Sequence, residues 1–339
     1  MDFDKIMHEI TAGLTGDVDK DAKYLMDKSL EYKDSEYGKE IARACGRLLF
    51  DILPDDKKKI IDQESKNHFF GTNVILEEVK FNIYKHDFIK ARSLLEMTID
   101  KIEKVGLYQD DAVSEYHTFD NAMEFIIYSH LHKPKKTVRP VPESFSDIYF
   151  TYGSLLFELG EYDKSKTALE KAIHWNPVSP NIFFEYSELF KKDGDMESYW
   201  DLTCKIFQIA YTSSQIARCY RNLGYCFVEK NMWQEAASCY ILSMNFDDEN
   251  TMAQSELFYI QSKSPEEITA PTHEQLREYA QFYNFPLGAN SDVIGLAVAF
   301  GRECMENQQY DEARFYFNIA YDLTGDDGIK SILEIISDK

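Results

Sequence analysis

The chain has 339 residues, of which 44% are hydrophobic and 14% aromatic, so its composition allows a substantial core and is not that of a disordered protein. A formal net charge of −22 argues against nucleic acid and anionic membranes as partners, because both require a basic surface. The 15 Gly and 9 Pro residues are too few for a turn-rich all-β fold.

The N-terminal sequence MDFDKIMHEI is charged from its second residue and lacks the apolar stretch of a signal peptide. The six cysteines include no C-x-x-C pair. Without a secretion signal they are expected to be free thiols. The longest apolar stretch, near VIGLAVAFG, is far shorter than a membrane span. We therefore expect a cytoplasmic protein.

Residues 1–132 are predicted to be helical, with only a faint repeat signal. Residues 22–54 and residues 73–104 each have the form of two helices joined by a turn. Both degenerate repeats and a separate helical bundle are consistent with this pattern. Residues 133–145 are rich in proline and basic residues, which predicts a linker.

From residue 146 onward the chain repeats a pattern of two helices. A break at Gly160 is followed 34 residues later by a break at Gly194. Small residues recur where the two helices of a hairpin would cross, namely Gly153 with Ser165 and Ala172, Gly224 with Ala236 and Ser243, and Gly301 with Ala313 and Ala320. Each such hairpin leaves one apolar side uncovered, so it must stack on a neighbour.

This pattern resembles the tetratricopeptide repeat (TPR), whose period is 34 residues and whose signature is W-x2-L-G-x2-Y, then A-x3-F, then P. The match is good for 146–179, 217–250 and 294–327. It is weaker for 180–213, where the crossing residues would be Ser187, Tyr199 and Ile206, and two bulky residues there should splay the hairpin. The resemblance implies an all-α fold, a right-handed superhelix of stacked hairpins, with three repeats over 146–250.

The pattern lapses between residues 251 and 293, which we predict to be an irregular helical segment with Thr272 as the N-cap of one helix. A further repeat follows at 294–327. Residues 328–339 are predicted to form an amphipathic helix, because Ile329, Ile332, Leu333 and Ile336 fall at helical spacing. This helix would cap the last open face of the stack.

In the TPR family the first helix of each hairpin lines a concave groove that holds peptides or helices. The resemblance places ten residues there: Phe150, Ser154, Asn181, Phe184, Glu188, Arg218, Arg221, Asn222, Tyr225 and Arg302. Arginines beside aromatic side chains have the composition of a binding hot spot. The alternative is that Phe150 and Phe184 pack in the interior and that the arginines balance local acids.

Two stretches imitate metal sites. Residues 17–28 begin like a calcium loop but lack its turn glycine and its final glutamate. His130 and His132 have no third ligand nearby. The sequence contains no phosphate-binding glycine loop, no G-x-S-x-G and no HExxH motif. We therefore predict no catalytic residue, no cofactor and no metal.

The sequence as a whole favours a non-catalytic interaction scaffold that binds a peptide or protein segment in the groove of its TPR repeats. Two alternatives stay open. One is a peptide-sensing signalling regulator similar to the Gram-positive Rap-type proteins, which join a helical N-terminal bundle to such repeats. The other is an enzyme whose catalytic residues are scattered through residues 1–132.

Overall fold

A computed structural model describes the chain. The described residues are 3–55, 57–58, 71–106 and 108–337. They form seventeen α-helices and two short β-strands. The chain divides into two compact units, the first made of residues 1–118 and 134–148, the second of residues 119–133 and 149–339. The prediction of an all-α protein built from paired helices is confirmed.

The first unit consists of short helices and one strand pair. Its elements are α1 (Phe3–Ala12), α2 (Val18–Glu31), α3 (Gly38–Ile52), α4 (Thr72–Tyr84), α5 (Phe88–Val105), β1 (Ser114–His117) and β2 (Thr137–Pro140). α2 pairs with α3, α4 pairs with α5, and α1 packs on α3. The core of the first three helices contains Phe3, Ile6, Leu25 and Ile41, all nearly inaccessible to solvent.

The acidic stretch that imitates a calcium loop has a structural role. Asp17 caps α2 by accepting a hydrogen bond from the Lys20 backbone N–H. The Asp21 carboxylate is buried and accepts hydrogen bonds from the backbone N–H groups of Thr15 and Gly16 and from the Thr15 hydroxyl. These bonds lower the pKa of Asp21. The two carboxylates thus hold the turn before α2.

Residues 133–145, which the sequence indicates as a linker, contain strand β2. This strand pairs in parallel with β1, with Ser114 opposite Thr137 and His117 opposite Pro140. The turn before β1 is fixed by Asp111, whose buried carboxylate accepts from the Ser114 backbone N–H and pairs with Arg47 at 2.9 Å. Strand β2 could not be predicted from the composition, because the strand has only four residues and ends in proline.

The second unit contains the repeats. Its helices are α6 (Ala122–His132), α7 (Phe145–Glu158), α8 (Tyr162–Trp175), α9 (Pro180–Asp193), α10 (Met196–Ile209), α11 (Ser213–Glu229), α12 (Trp233–Met244), α13 (Thr251–Lys263), α14 (His273–Tyr283), α15 (Ser291–Glu306), α16 (Tyr310–Thr324) and α17 (Asp327–Ser337). The first four residues of α7 fall in the first unit. From α8 to α13 each helix packs on the next, and α15, α16 and α17 pack in the same consecutive way. The predicted breaks at Gly160 and Gly194 are confirmed, and both residues adopt the left-handed backbone conformation.

Three hairpins cross at a glycine. A Cβ atom built on Gly153 would lie 2.6 Å from Leu169 Cγ, and one on Gly224 would lie 2.8 Å from the Tyr240 ring. One on Gly301 would lie 3.0 Å from the Phe317 ring. The large residue stands sixteen positions after the glycine in each hairpin. A glycine is therefore required because a large side chain of the second helix occupies the space next to it.

The hairpin of α9 and α10 has a different crossing. Ser187 takes the place of the glycine, and Thr203 stands sixteen positions later. Both are fully buried, and each hydroxyl donates to a carbonyl of its own helix, Ser187 to Phe184 O at 2.6 Å and Thr203 to Tyr199 O at 2.8 Å. Burying these polar atoms is tolerable because each has a hydrogen-bond partner.

The irregular segment and the final helix have the predicted caps. Thr272 begins α14 with a capping box completed by Gln275, which confirms the predicted N-cap.

At the start of α17 the Asp326 carboxylate accepts from the backbone N–H groups of Gly328 and Ile329. Ile336 of α17 packs with Ala313 and Phe317 of α16. The last helix thus covers apolar surface of the last hairpin.

Candidate functional site

The first helices of the three leading hairpins, α7, α9 and α11, carry most of the predicted groove residues. α11 begins with a capping box in which the Thr212 side chain accepts from Gln215 N–H and the Gln215 side chain accepts from Thr212 N–H. This cap fixes where α11 starts. Arg218 and Tyr225 lie seven positions apart on it, two helical turns, and so share one face.

Arg218 lies at the centre of the candidate site. Its guanidinium carbon is 4.4 Å from the centre of the Phe184 ring, and its Nη2 is 3.5 Å from Glu188 Oε1. Phe184 is only 1% exposed. The ring therefore belongs to the core and supports the arginine by a cation–π contact. It is not an exposed anchor for a partner.

A chain of polar contacts continues along α9 to Tyr225. Glu188 pairs with Lys191 at 3.5 Å, and the Lys191 ammonium lies 4.4 Å from the centre of the Tyr225 ring. Glu188, Lys191 and Tyr225 are all half-buried. Half-buried side chains of this kind keep part of their surface available to a partner.

Glu185 extends the row toward α7. Burial raises the pKa of its carboxyl, and the nearby Ser154 hydroxyl and Arg218 guanidinium oppose that rise. Ser154 is half-buried on α7. We call the six residues Ser154, Glu185, Glu188, Lys191, Arg218 and Tyr225 the first-helix face.

Two predicted groove residues lie instead at contacts with other helices. Arg221 donates to the Ser243 hydroxyl at 3.2 Å and pairs with Asp247 at 3.4 Å, with 15% of its side chain exposed. Asn222 is buried, and its amide donates to the Thr203 hydroxyl at 3.4 Å. These two side chains join α11 to its neighbours. Because Arg221 is engaged there, Arg218 is the arginine that α11 contributes to the first-helix face.

The remaining predicted residues are spread along the repeats. Phe150 is half-buried on α7, and Asn181 is exposed at the start of α9. Arg302 is exposed on α15, in the hairpin that follows the irregular segment. The structure therefore brings together Ser154, Glu188, Arg218 and Tyr225 from the predicted set.

Glu185 and Lys191 complete the face but were absent from the predicted set. Lys191 follows Glu188 by three positions, so the helical period that places Glu188 on this surface also brings Lys191 to it. Extending that period by one turn toward the C-terminus would have found it. Glu185 is next to Phe184, and the direction of its side chain could not be fixed without knowing which of the two enters the core.

Within the described ranges no group of three His, Cys, Asp or Glu side chains could hold a metal ion. His132 stacks on Tyr128 with 4.6 Å between ring centres, and His130 faces Asp292 at 3.4 Å. Of the helices in the described residues, none combines the length and apolar character needed to cross a membrane.

Comparisons with known proteins locate the repeat. Residues 146–179 match the model of a tetratricopeptide repeat. The comparison with curated protein sequences gave no match. The repeat model thus falls on the hairpin of α7 and α8, which crosses at Gly153.

Several solved structures are similar to this chain at low identity. One, reported as the functional characterization of Pseudomonas aeruginosa pilF, is 12% identical with a TM-score of 0.42 over 79% of this chain and 97% of that one. A tetratricopeptide repeat protein from Parabacteroides merdae is 13% identical with a TM-score of 0.32 over 78% and 98%. The hetero-tetramer Cut9-Hcn1 of the APC/C is 13% identical with a TM-score of 0.34 over 93% of this chain and 60% of that one.

The matched repeat at 146–179 is followed by further helical hairpins. Two of those hairpins, α11–α12 and α15–α16, cross at a glycine packed against a large residue sixteen positions later, as α7–α8 does. The recurrence of one crossing in three hairpins is typical of stacked helical repeats. The chain therefore contains a tetratricopeptide repeat at residues 146–179.

Proposed function

We propose that the protein is a non-catalytic interaction scaffold and that its first-helix face binds a peptide or protein segment. The observation that carries this proposal is the row of contacting polar side chains that runs across α9 and α11, centred on Arg218. Ser154, beside Glu185, adds the preceding first helix α7 to the face. We also propose a cytoplasmic location, where the six cysteines would stay reduced.

The chemistry of the face favours a partner that carries a carboxylate. Arg218 is held in place by the Phe184 ring, while its ion pair with Glu188 is long at 3.5 Å and 38% of its side chain is exposed. A partner carboxylate could form two parallel hydrogen bonds with this oriented guanidinium. Little side-chain entropy would be lost on binding, because the arginine is already ordered.

The partner also needs a donor or a positive group next to that carboxylate. Glu185 and Glu188 lie beside Arg218, and burial already disfavours the charged form of Glu185. A backbone N–H or a basic side chain of the partner would stabilise these carboxylates. We therefore expect the partner segment to carry charges of both signs. A face with both an arginine and glutamates should select such a segment, which a purely basic face would not do.

Site-specific photo-crosslinking tests the proposal. Benzoylphenylalanine in place of Tyr225 is expected to capture a defined partner in cells, whereas the same group at Lys171, exposed on the second helix α8, is expected to capture none of it. The same adduct from both positions, or from neither, would contradict binding at this face.

A further inference from the structure

A cavity of about 450 Å³ lies on another part of the second unit, at residues of α10, α11 and α14. Three aromatic side chains line it, Trp200, Phe227 and Tyr283. None of them belongs to the first-helix face, so this cavity is independent of the proposed function.

Trp200 and Tyr283 each pack edge to face on Phe227, and we call the space that these rings border the slot. The Trp200 and Phe227 ring centres are 5.2 Å apart at 83°, and those of Phe227 and Tyr283 are 4.9 Å apart at 73°. Phe227 is 1% exposed, whereas Trp200 and Tyr283 are half-buried. Phe227 is therefore the floor, and the two partly exposed rings are walls nearly perpendicular to it.

Tyr283 belongs to the irregular segment and is held in position by a hydrogen bond to α12 and by the fixed backbone that follows it. Its hydroxyl donates to Glu235 at 3.2 Å. The backbone just beyond it is fixed by Tyr220, whose hydroxyl donates to Pro286 O at 3.2 Å and accepts from Gly288 N–H at 2.6 Å. Phe285 is 6% exposed and packs against Trp200 with 6.1 Å between ring centres. The Tyr283 wall is thus preorganised, which reduces the entropy lost on binding a ligand.

Charges surround the opening. Glu197 and Asp201 line the cavity together with Lys230. The Lys230 ammonium is 5.8 Å from the centre of the Trp200 ring, at the outer limit of a cation–π contact. Lys230 therefore lies at the rim, and the partly exposed rings of Trp200 and Tyr283 remain available to a cation that enters between them.

We propose that this cavity binds a trimethylammonium group, as carried by choline or by trimethylated lysine. Aromatic faces attract a cation through their electron-rich surface. A plain ammonium would lose hydrogen bonds to water on entering a slot walled by rings, and that loss is unfavourable. A trimethylammonium group makes no such bonds, presents apolar methyl groups to the rings and keeps its full charge for Glu197 and Asp201.

A matched ligand pair tests the proposal in the unmodified protein. The full chain is labelled at the indole nitrogens of its tryptophans, and NMR spectra follow titration with choline and with 3,3-dimethyl-1-butanol, its neutral isostere. The chain has 3 tryptophans, so the Trp200 signal can be assigned by its loss in Trp200→Phe. We expect saturable shifts of the Trp200 signal with choline and none with the neutral isostere. Equal shifts with both ligands, or no shift with choline, would overturn the proposal.

Variants test whether choline binds in the slot, and peptides test which kind of molecule carries the trimethylammonium group. Tyr283→Leu removes a wall and is expected to weaken choline binding about tenfold, whereas Tyr283→Phe keeps the ring and should retain it. Lys230→Ala removes the competing cation and should tighten binding. A trimethyllysine peptide that binds more tightly than choline, while its unmodified form does not bind, assigns the group to a modified protein. The reverse order of affinity assigns it to a small metabolite.

Discussion

The hairpin of α7 and α8 and the hairpin of α9 and α10 solve the same packing problem in two ways. In the first, Gly153 makes room for the large side chain of Leu169. In the second, Ser187 and Thr203 stand at the equivalent positions, both buried and both bonded to carbonyls of their own helices. A repeat can therefore keep its period while its crossing changes from one glycine and one large residue to two small polar residues.

The largest effect is expected at Phe184, in the hairpin without a crossing glycine. Phe184→Ala should lower the free energy of unfolding by about 3–5 kcal/mol, because the ring is 1% exposed and fills the core. Urea unfolding measures the change, and Phe184→Leu should lower it by less. A midpoint within error of the unmodified protein would mean that this hairpin is loosely packed and that the ring is replaceable.

Glu124 links the ends of these two hairpins. Its carboxylate accepts from the Asn176 amide at 2.7 Å, in the connection after α8, and from the Tyr211 hydroxyl at 3.2 Å, after α10. Burial, with a smaller contribution from Asp120, raises the pKa of Glu124 from its usual 4.5 to about 7.

A carboxyl with a raised pKa stabilises the folded state fully below its unfolded pKa, and that contribution is lost as the pH rises through the folded value. Between pH 4.5 and pH 7 this group should therefore remove about 1–3 kcal/mol of stability as the pH increases. Chemical unfolding of the wild type and Glu124→Gln over this range isolates the contribution, since the variant should lack it. Parallel pH profiles would show that Glu124 titrates normally.

The glycine crossing can be broken directly. Gly153→Ala should reduce the free energy of unfolding by about 1–3 kcal/mol, because the added Cβ would lie 2.6 Å from Leu169 Cγ. Gly295→Ala is the matched control, since that helical glycine has nothing within 4 Å of its added Cβ. The control should gain up to about 1 kcal/mol from the better helix propensity of alanine. If both variants shift the urea midpoint in the same direction, close packing is not why glycine occupies position 153.

The smallest effect is an exchange between the two kinds of crossing. Thr203→Leu should destabilise the α9–α10 hairpin by overfilling it, and adding Ser187→Gly should restore part of the loss, with a coupling of about 1 kcal/mol. A double-mutant cycle by urea unfolding measures this coupling. Strictly additive effects would indicate that positions 187 and 203 do not share one space.

The repeat architecture could be predicted because glycine and large residues recur at a fixed period. The breaks at Gly160 and Gly194, the N-cap at Thr272 and the final helix follow from local signals that a single sequence carries. The Thr203 crossing was missed because Tyr199 and Ile206 align with the small residues of the other repeats. Thr203 can be recognised as the equivalent of Leu169 only once the contacts of the crossing glycines are known.

The candidate site was only partly predictable. Helical period places Arg218 and Tyr225 on one face, but it does not distinguish Arg218 from Arg221, which is paired with Asp247. It also cannot decide whether an aromatic residue such as Phe184 enters the core or faces a partner, because both occur at helical spacing. The aromatic cavity could not be predicted, since its rings come from positions 200, 227 and 283, which are far apart in sequence.

The central claim is that partners bind through Arg218, and a calorimetric titration tests it most directly. The partner captured by crosslinking at position 225 is titrated into wild type, Arg218→Ala and Arg277→Ala, the last being an exposed arginine on α14 outside the face. We predict that Arg218→Ala weakens binding by about 10- to 100-fold while its melting temperature stays close to that of the wild type, because an oriented charge pair is lost. Arg277→Ala should bind as the wild type does. Equal affinities for all three proteins, with intact folds, would contradict the account.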